Sequence, residues 1–442
     1  MRLNGGTSTS TATAPPPPAA DPPRRTTTST GPPGRRAAVV LLVLSSAVLA
    51  AWLAVALRLP DTDAEGSDYS AFHVAALLVR EGQAGQLYDQ GAETRRHEQL
   101  VPPGYHVDLP YISPPATVLL VLPLTGLALP TAFRVAGIAE FLLLAGAVAV
   151  AVRAAPRSPS GRPDRIERLA IGAMATAGVG TLVLVLMGQW DGLLALGVAL
   201  AYACLRRRQP LAAGLALGLT LAPTKPHLAL GLLAFLVGLR AGRALGGIAL
   251  AGVATLLADL AVAGPSGVTG WLGALRLSSG HSPLASLLGT TGFAGSWLGD
   301  TTAAHAVGLA LAVPAVAGCA VLGHALRRGR VDLEVAMGGA VALGLLAAPH
   351  LLMHDLAVLA PAAAWTMVAA TARSERSGRR AVAGWLALNV VCLLDLGAAS
   401  VGPPGRVTPV ALAVAGVLAV RLALRSPQSG RGSGVGGVVL QS

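Results

Sequence analysis

Short polar stretches interrupt an otherwise apolar chain, and their residue types can do chemistry. In Gly66-Ser67-Asp68-Tyr69, Asp68 opens a helical pattern, with Ser67 placed to cap it. A first-turn carboxylate favours the helix dipole. A carboxylate fixed there can also take a proton from a hydroxyl group, and the two roles are compatible. Asp61-Thr62-Asp63 is a paired-carboxylate motif of the kind that can hold a divalent cation. Acids in so acidic a loop are equally well explained as solvated side chains, and no metal is assigned. Tyr88-Asp89 and Tyr111-Ile112-Ser113-Pro114-Pro115 place tyrosines where anchoring at a membrane interface is common.

Three further breaks carry polar groups between apolar runs. Gly188-Gln189-Trp190-Asp191 offers an amide suited to a hydroxyl-rich ligand, with Trp190 a candidate interfacial anchor. Pro223-Thr224-Lys225-Pro226-His227 holds the single lysine among 33 Lys and Arg residues. A lone cation near membrane depth costs roughly 2.5–3.5 kcal/mol, so it is a functional candidate, with snorkelling to the interface as the plainer reading. Pro349-His350-Leu351-Leu352-Met353-His354-Asp355 spaces two histidines at i and i+4, beside a carboxylate. Such a trio can bind an anion or orient Asp68, but two imidazoles and one carboxylate do not by themselves specify a metal. A polar helix terminus is the bland alternative.

These stretches must be positioned by membrane helices. Of 442 residues, 53% are hydrophobic and 12% charged, against roughly 25% charged in soluble domains. Many apolar runs approach the roughly 20 residues that span a hydrocarbon core, where only internally hydrogen-bonded backbone survives. Twelve crossings are expected, at about 37–57, 132–152, 169–187, 190–205, 209–222, 226–239, 243–263, 302–325, 334–348, 355–371, 381–397 and 408–425. Arginine clusters at 153–168, 206–208, 240–243, 327–330, 373–380 and 421–431 belong inside by the positive-inside rule. That leaves the polar breaks outside. The run 113–130 is short and interrupted by Pro123; a full crossing would flip every later cluster, so it is expected to be re-entrant. Residues 58–112 hold nine of the 21 acidic residues and form the large extracytoplasmic loop. Within it Tyr69, Phe72, Ala76 and Val79 recur at helical spacing, predicting a short interfacial helix. Residues 1–36 and 426–442 read as disordered tails, the first basic and cytoplasmic, around a membrane domain at 37–425.

The net charge of +12 comes from inter-helix arginines and does not point to nucleic acid. Cys204, Cys319 and Cys392 all lie in apolar runs and read as core residues. No phosphate-binding loop, dinucleotide fingerprint or serine-hydrolase elbow is present.

Taken in order, the motifs resemble glycosyltransferase family 87, membrane enzymes of the C-type fold common in actinobacteria. The matching pieces are Asp68-Tyr69 with Phe72, then Gly82 and Leu87-Tyr88-Asp89, Tyr111-Ile112-Ser113-Pro114-Pro115, Gly188-Gln189, Lys225-Pro226, Pro349-His350 and His354-Asp355, over roughly residues 60–370. Trp190-Asp191 departs from the more neutral continuation expected after Gly188-Gln189. The resemblance implies an inverting transferase that moves one sugar, with mannose the family's usual choice, from a polyprenyl-phosphate donor to a lipid or glycan acceptor outside the plasma membrane. It implies Asp68 as general base and no cofactor. The substrate-binding set expected with it is Tyr69, His73, Tyr88, Tyr111, Ser113, Gln189, Lys225, His227, His350, His354 and Asp355. Lys225 is read as an unpaired cation that joins His354 at the donor phosphate. A transporter or flippase of lipid-linked or anionic substrates would share the helices and the cations, but would not need the acidic loop. A polysaccharide polymerase or ligase is a third reading.

Overall fold

The computed structural model describes residues 33–103, 109–157, 163–278, 283–398 and 406–425. The expected tails, apart from 33–36, and Asp108 lie outside the described residues. Those residues are helical or irregular, with no strand among them. Along the chain, α1 (Pro33–Leu57) is followed by three short helices, α2 (Asp61–Glu65), α3 (Asp68–Arg80) and α4 (Gln90–Glu98). A broken segment follows, whose middle is α5 (Val118–Val121), and then α6 (Leu129–Ala154). Next come α7 (Arg165–Thr176), α8 (Val179–Met187), α9 (Asp191–Arg206), α10 (Pro210–Leu221), α11 (Ala229–Leu239) and α12 (Gly242–Ser278). The last six are α13 (Thr290–Leu298), α14 (Thr302–Arg327), α15 (Leu333–Ala347), α16 (Leu359–Arg373), α17 (Glu375–Ala398) and α18 (Thr408–Arg425).

Each of the twelve expected apolar runs falls on helix. The run 169–187 is broken into α7 and α8, bent by 52° at Ala177-Gly178. Among the described residues seven helices are long and apolar enough to cross a membrane, eight if that bent pair counts as one. Helices α10, α11 and α15 are shorter than a hydrocarbon core requires. Pro115–Leu124 is a ten-residue apolar helix, about 15 Å at 1.5 Å per residue, or half of a crossing.

Burial separates lipid-facing from central helices. On α1, α12, α14, α17 and α18 large aliphatic side chains such as Val43, Leu257, Leu309, Leu394 and Leu424 are exposed, which water would penalise and lipid would not. Helices α9, α15 and α16 are enclosed and build the main core, around Leu194, Met337 and Trp365. A second, aromatic core of Tyr69, Phe72, Tyr111, Phe133 and Trp190 lies under the 58–112 region. Cys319 and Cys392 are buried and Cys204 half-buried, all as free thiols.

The helix over 68–80 forms as the periodicity predicts, but it is not laid on one face. Tyr69 through Leu78 are buried except Ala71, because α2, α4, α5 and α6 pack around it. Ser67 holds the N-cap position without capping through its side chain; its Oγ donates instead to Ala64 O at 2.7 Å.

Candidate active site

The polar breaks meet at one place. Gly188 ends α8 with φ +66°, a left-handed turn that suits glycine. A Cβ there would also lie 2.6 Å from Tyr69 Cβ. The missing side chain therefore lets α3 close on the α8–α9 turn. That contact sets Gln189 beside Asp68, and Gln189 Nε2 donates to Asp68 Oδ2 at 2.7 Å. Burial pushes the Asp68 carboxyl above its usual range; the Gln189 hydrogen bond and the Lys225 charge oppose this, Asp355 reinforces it and His350 opposes it.

One turn on, α9 begins with the fully buried Asp191. Its two oxygens each lie 3.0 Å from Lys225 Nζ. The same ammonium donates to Asp355 Oδ1 at 2.5 Å. Asp355 Oδ2 accepts from the Leu352 amide at 2.6 Å. His354 Nε2 lies 3.7 Å from Asp355 Oδ1 and 4.0 Å from Asp191 Oδ2. The loop bearing these residues is itself held: Thr291 Oγ1 donates to Pro349 O and the Leu288 amide to Leu351 O, both at 2.7 Å.

Lys225 is thus not the unpaired cation expected from sequence. Proline on both sides of Thr224-Lys225 breaks the α10–α11 connection there, and two buried carboxylates receive the ammonium. Asp191 was counted as a departure in the motif, yet it is the most enclosed member of the cluster. Asp191, His354 and Asp355 present three ligand atoms within 4.8 Å of one another, a spacing that suits a divalent cation. In this structure the Lys225 ammonium supplies the positive charge between the two carboxylates.

The remaining expected residues fall into two groups. His227 and His350 face each other edge to face at 6.4 Å, and the buried His227 Nε2 has no hydrogen-bond partner. Tyr88 and Tyr111 stack loosely at 5.6 Å on the aromatic core, and their hydroxyls donate to Ser113 O and Pro114 O, each at 2.7 Å. Those bonds fix the Ser113-Pro114-Pro115 turn, which Trp271 Nε1 also holds through Ile112 O at 3.1 Å. The buried Asp259 accepts from the Ala116 amide at 2.7 Å and ties the same turn to α12. His73 packs on Tyr69, with ring centroids 5.9 Å apart. Burial and the Arg80 and Arg96 charges push its imidazole down to about 4, so it is neutral at ordinary pH. Trp190 is buried against Phe72 at 5.3 Å rather than exposed as an anchor. Asp61 pairs with Arg134 at 2.6 Å and does not join Asp63 in a metal cluster.

An all-helical, multi-pass membrane protein with a buried carboxylate poised beside an ion-pair cluster has the parts of a membrane enzyme acting on hydroxyl groups. The model of glycosyltransferase family 87 matches residues 111–349, more than half of the chain. The chain belongs to that family and is a glycosyltransferase. No curated protein and no solved structure matches it. The matched region includes Gln189, Asp191 and Lys225; Asp68 precedes it, and His350, His354 and Asp355 follow its end.

Proposed function

We propose that this glycosyltransferase moves one sugar, mannose by family precedent, from a polyprenyl-phosphate donor to a hydroxyl of a lipid or glycan acceptor at the outer face of the plasma membrane. The observation that carries this reading is the Gln189–Asp68 hydrogen bond of 2.7 Å. It draws a carboxylate from the acidic 58–112 region onto the family-matched part of the chain, beside the Lys225 cluster.

In this reading 37–425 is one membrane domain of twelve crossings, with disordered tails on either side. Pro115–Leu124 dips in and returns, which keeps the arginine clusters on the cytoplasmic side. Asp68 takes the proton of the acceptor hydroxyl as its oxygen attacks the anomeric carbon. The bond from that carbon to the phosphate oxygen breaks, and polyprenyl phosphate leaves with the electron pair. One displacement inverts the anomeric configuration. Gln189 holds one carboxylate oxygen and leaves the other for the incoming proton. His227 and His350, with Lys225 and His354 behind them, face the donor phosphate; charge-assisted and imidazole hydrogen bonds suit an anion leaving water. The tyrosines at 69, 88 and 111 and the turn at Ser113 wall the acceptor side. A transporter would not need a carboxylate held for proton transfer, and family membership favours transfer.

The test supplies membranes containing the protein with a panel of labelled polyprenyl-phosphate sugars. Label from one donor is expected in a new lipid or glycan product, with inverted anomeric configuration. No transfer from any such donor, with transfer from a nucleotide sugar instead, would overturn the reading.

A further inference from the structure

Glu140 lies in the middle of α6, inside a 26-residue apolar helix, and only 3% of it is exposed. An acid at that depth is costly unless something receives it. What receives it is the start of α9. Helix α9 has no cap of its own, because Trp190 at its N-cap position offers no side-chain acceptor. Glu140 Oε2 accepts instead from the Leu193 amide at 3.0 Å, and the Gly192 amide also hydrogen-bonds this carboxylate. A Cβ at Gly192 would collide with the Glu140 carbonyl oxygen, so the glycine is what lets the two helices approach so closely. A carboxylate from one helix therefore performs the capping that α9 lacks.

The residue just before those two amides is Asp191, whose oxygens hold Lys225 at 3.0 Å. Glu140 is close enough to Lys225 for their charges to interact. We infer that Glu140 is a positioning residue for the transfer site: by capping α9 from α6 it sets Asp191, and through Asp191 the Lys225–Asp355 pair. It does not touch substrate. The inference rests on the reading of that cluster as the donor side of the site.

The role makes reach, not charge, the property that matters. Glu140→Asp keeps the charge and withdraws the oxygens by one methylene, whereas Glu140→Gln keeps an acceptor oxygen at full length and drops the charge. In the full-length protein, Glu140→Asp is expected to lower kcat/KM for the polyprenyl-phosphate donor about tenfold or more, with the acceptor KM unchanged. Glu140→Gln should stay within about threefold of the parent, since a neutral amide oxygen still accepts from both backbone groups. Combining Glu140→Asp with Lys225→Ala should cost little beyond Lys225→Ala alone, because contacting groups that act as a unit are not additive. Full activity in Glu140→Asp, a loss in Glu140→Gln as deep as in Glu140→Asp, or additive losses in the double variant would each overturn the role. Melting temperatures of the same variants separate misfolding from misplacement. If Asp68→Asn and Lys225→Ala transferred sugar at the parent's rate, the reading of the site itself would fail; if they lost transfer and Glu140→Asp did not, only the positioning role would.

Discussion

Helix α9 carries a buried ion pair at each end, about 22 Å apart at 1.5 Å per residue, and the two are built differently. At its far end Arg206 pairs with Glu334 at 2.7 Å, and the Tyr202 hydroxyl donates to the same carboxylate oxygen at 2.8 Å. Tyr202 stacks on Trp365, ring centroids 4.3 Å apart, and Trp365 Nε1 donates to Glu334 O at 3.1 Å. There one cation meets one anion and the neighbouring donors are satisfied. At its near end one ammonium sits between two carboxylates, His354 stands within 4.0 Å, and His227 Nε2 has no partner. The first arrangement is a clasp that holds α9, α15 and α16 together. The second keeps unspent hydrogen-bonding capacity and surplus negative charge in a buried place, which stability alone would not select. Sites that bind and react are where such incomplete satisfaction is expected.

The comparison is best broken from the near end. Asp68→Asn keeps shape and hydrogen bonding but removes basicity, and transfer should fall by about 10²-fold or more in the labelled-donor assay. The same variant should melt no lower than the parent at neutral pH. The folded protein raises the Asp68 carboxyl above its unfolded value, so this group's contribution is full below the unfolded value and is lost as pH rises through the folded one. Asparagine is never ionised and escapes that loss. A large drop in melting temperature would show that Asp68 is structural.

Next in size is Lys225→Ala. It leaves Asp191 and Asp355 buried without their cation, at a cost of roughly 3–5 kcal/mol, and donor-side activity should fall with it. Thermal unfolding and donor titration read the two effects. Lys225→Arg should rescue only in part, since a planar fork does not fit a pocket shaped for a compact ammonium. Adding Asp191→Asn to Lys225→Ala should restore part of the stability but not the activity. Arg206→Ala should do much less at the far end. Arg206 is a third exposed and Tyr202 still donates to Glu334, so a loss of about 1 kcal/mol or less is expected, with transfer within about twofold of the parent. Equal losses of activity at both ends would erase the distinction drawn between them.

The contrast also marks what the sequence could and could not disclose. The helices were legible because apolar runs long enough for lipid leave the backbone no other choice, and all twelve expected runs lie on helix. The polar breaks were legible as candidates because charge is costly at membrane depth, which singled out Asp68, Gln189, Lys225, His354 and Asp355. Their pairing was not legible. Asp191 and Lys225 are 34 residues apart and Lys225 and Asp355 are 130 apart, and no local pattern records which breaks meet. Glu140 and Asp259 were missed although the signal existed: each is an acid inside an apolar run, the same argument that picked out Lys225. The left-handed turn at Gly188 shows a further limit, since Gly188-Gln189 reads as a motif while its reason, room for Tyr69, is a tertiary contact.

The smallest expected effect sharpens the near end most. Gln189 donates to Asp68, and a hydrogen bond to an ionised carboxylate favours the ionised form. Gln189→Leu removes that donor at similar volume and should raise the Asp68 carboxyl further. A general base works only when deprotonated, so the acid limb of the kcat/KM profile should move to higher pH. At neutral pH transfer should drop severalfold, and it should recover toward the parent's plateau in alkaline buffer. Loss of orientation alone would behave otherwise: it would lower the plateau at every pH and leave the limb where it was. A profile measured on Gln189→Leu beside the parent therefore separates the two parts of the Gln189 role. An unshifted limb would leave Gln189 as an orienting donor only, and the electrostatic support of Asp68 would then have to come from Lys225 and His350, whose charges also favour its ionised form.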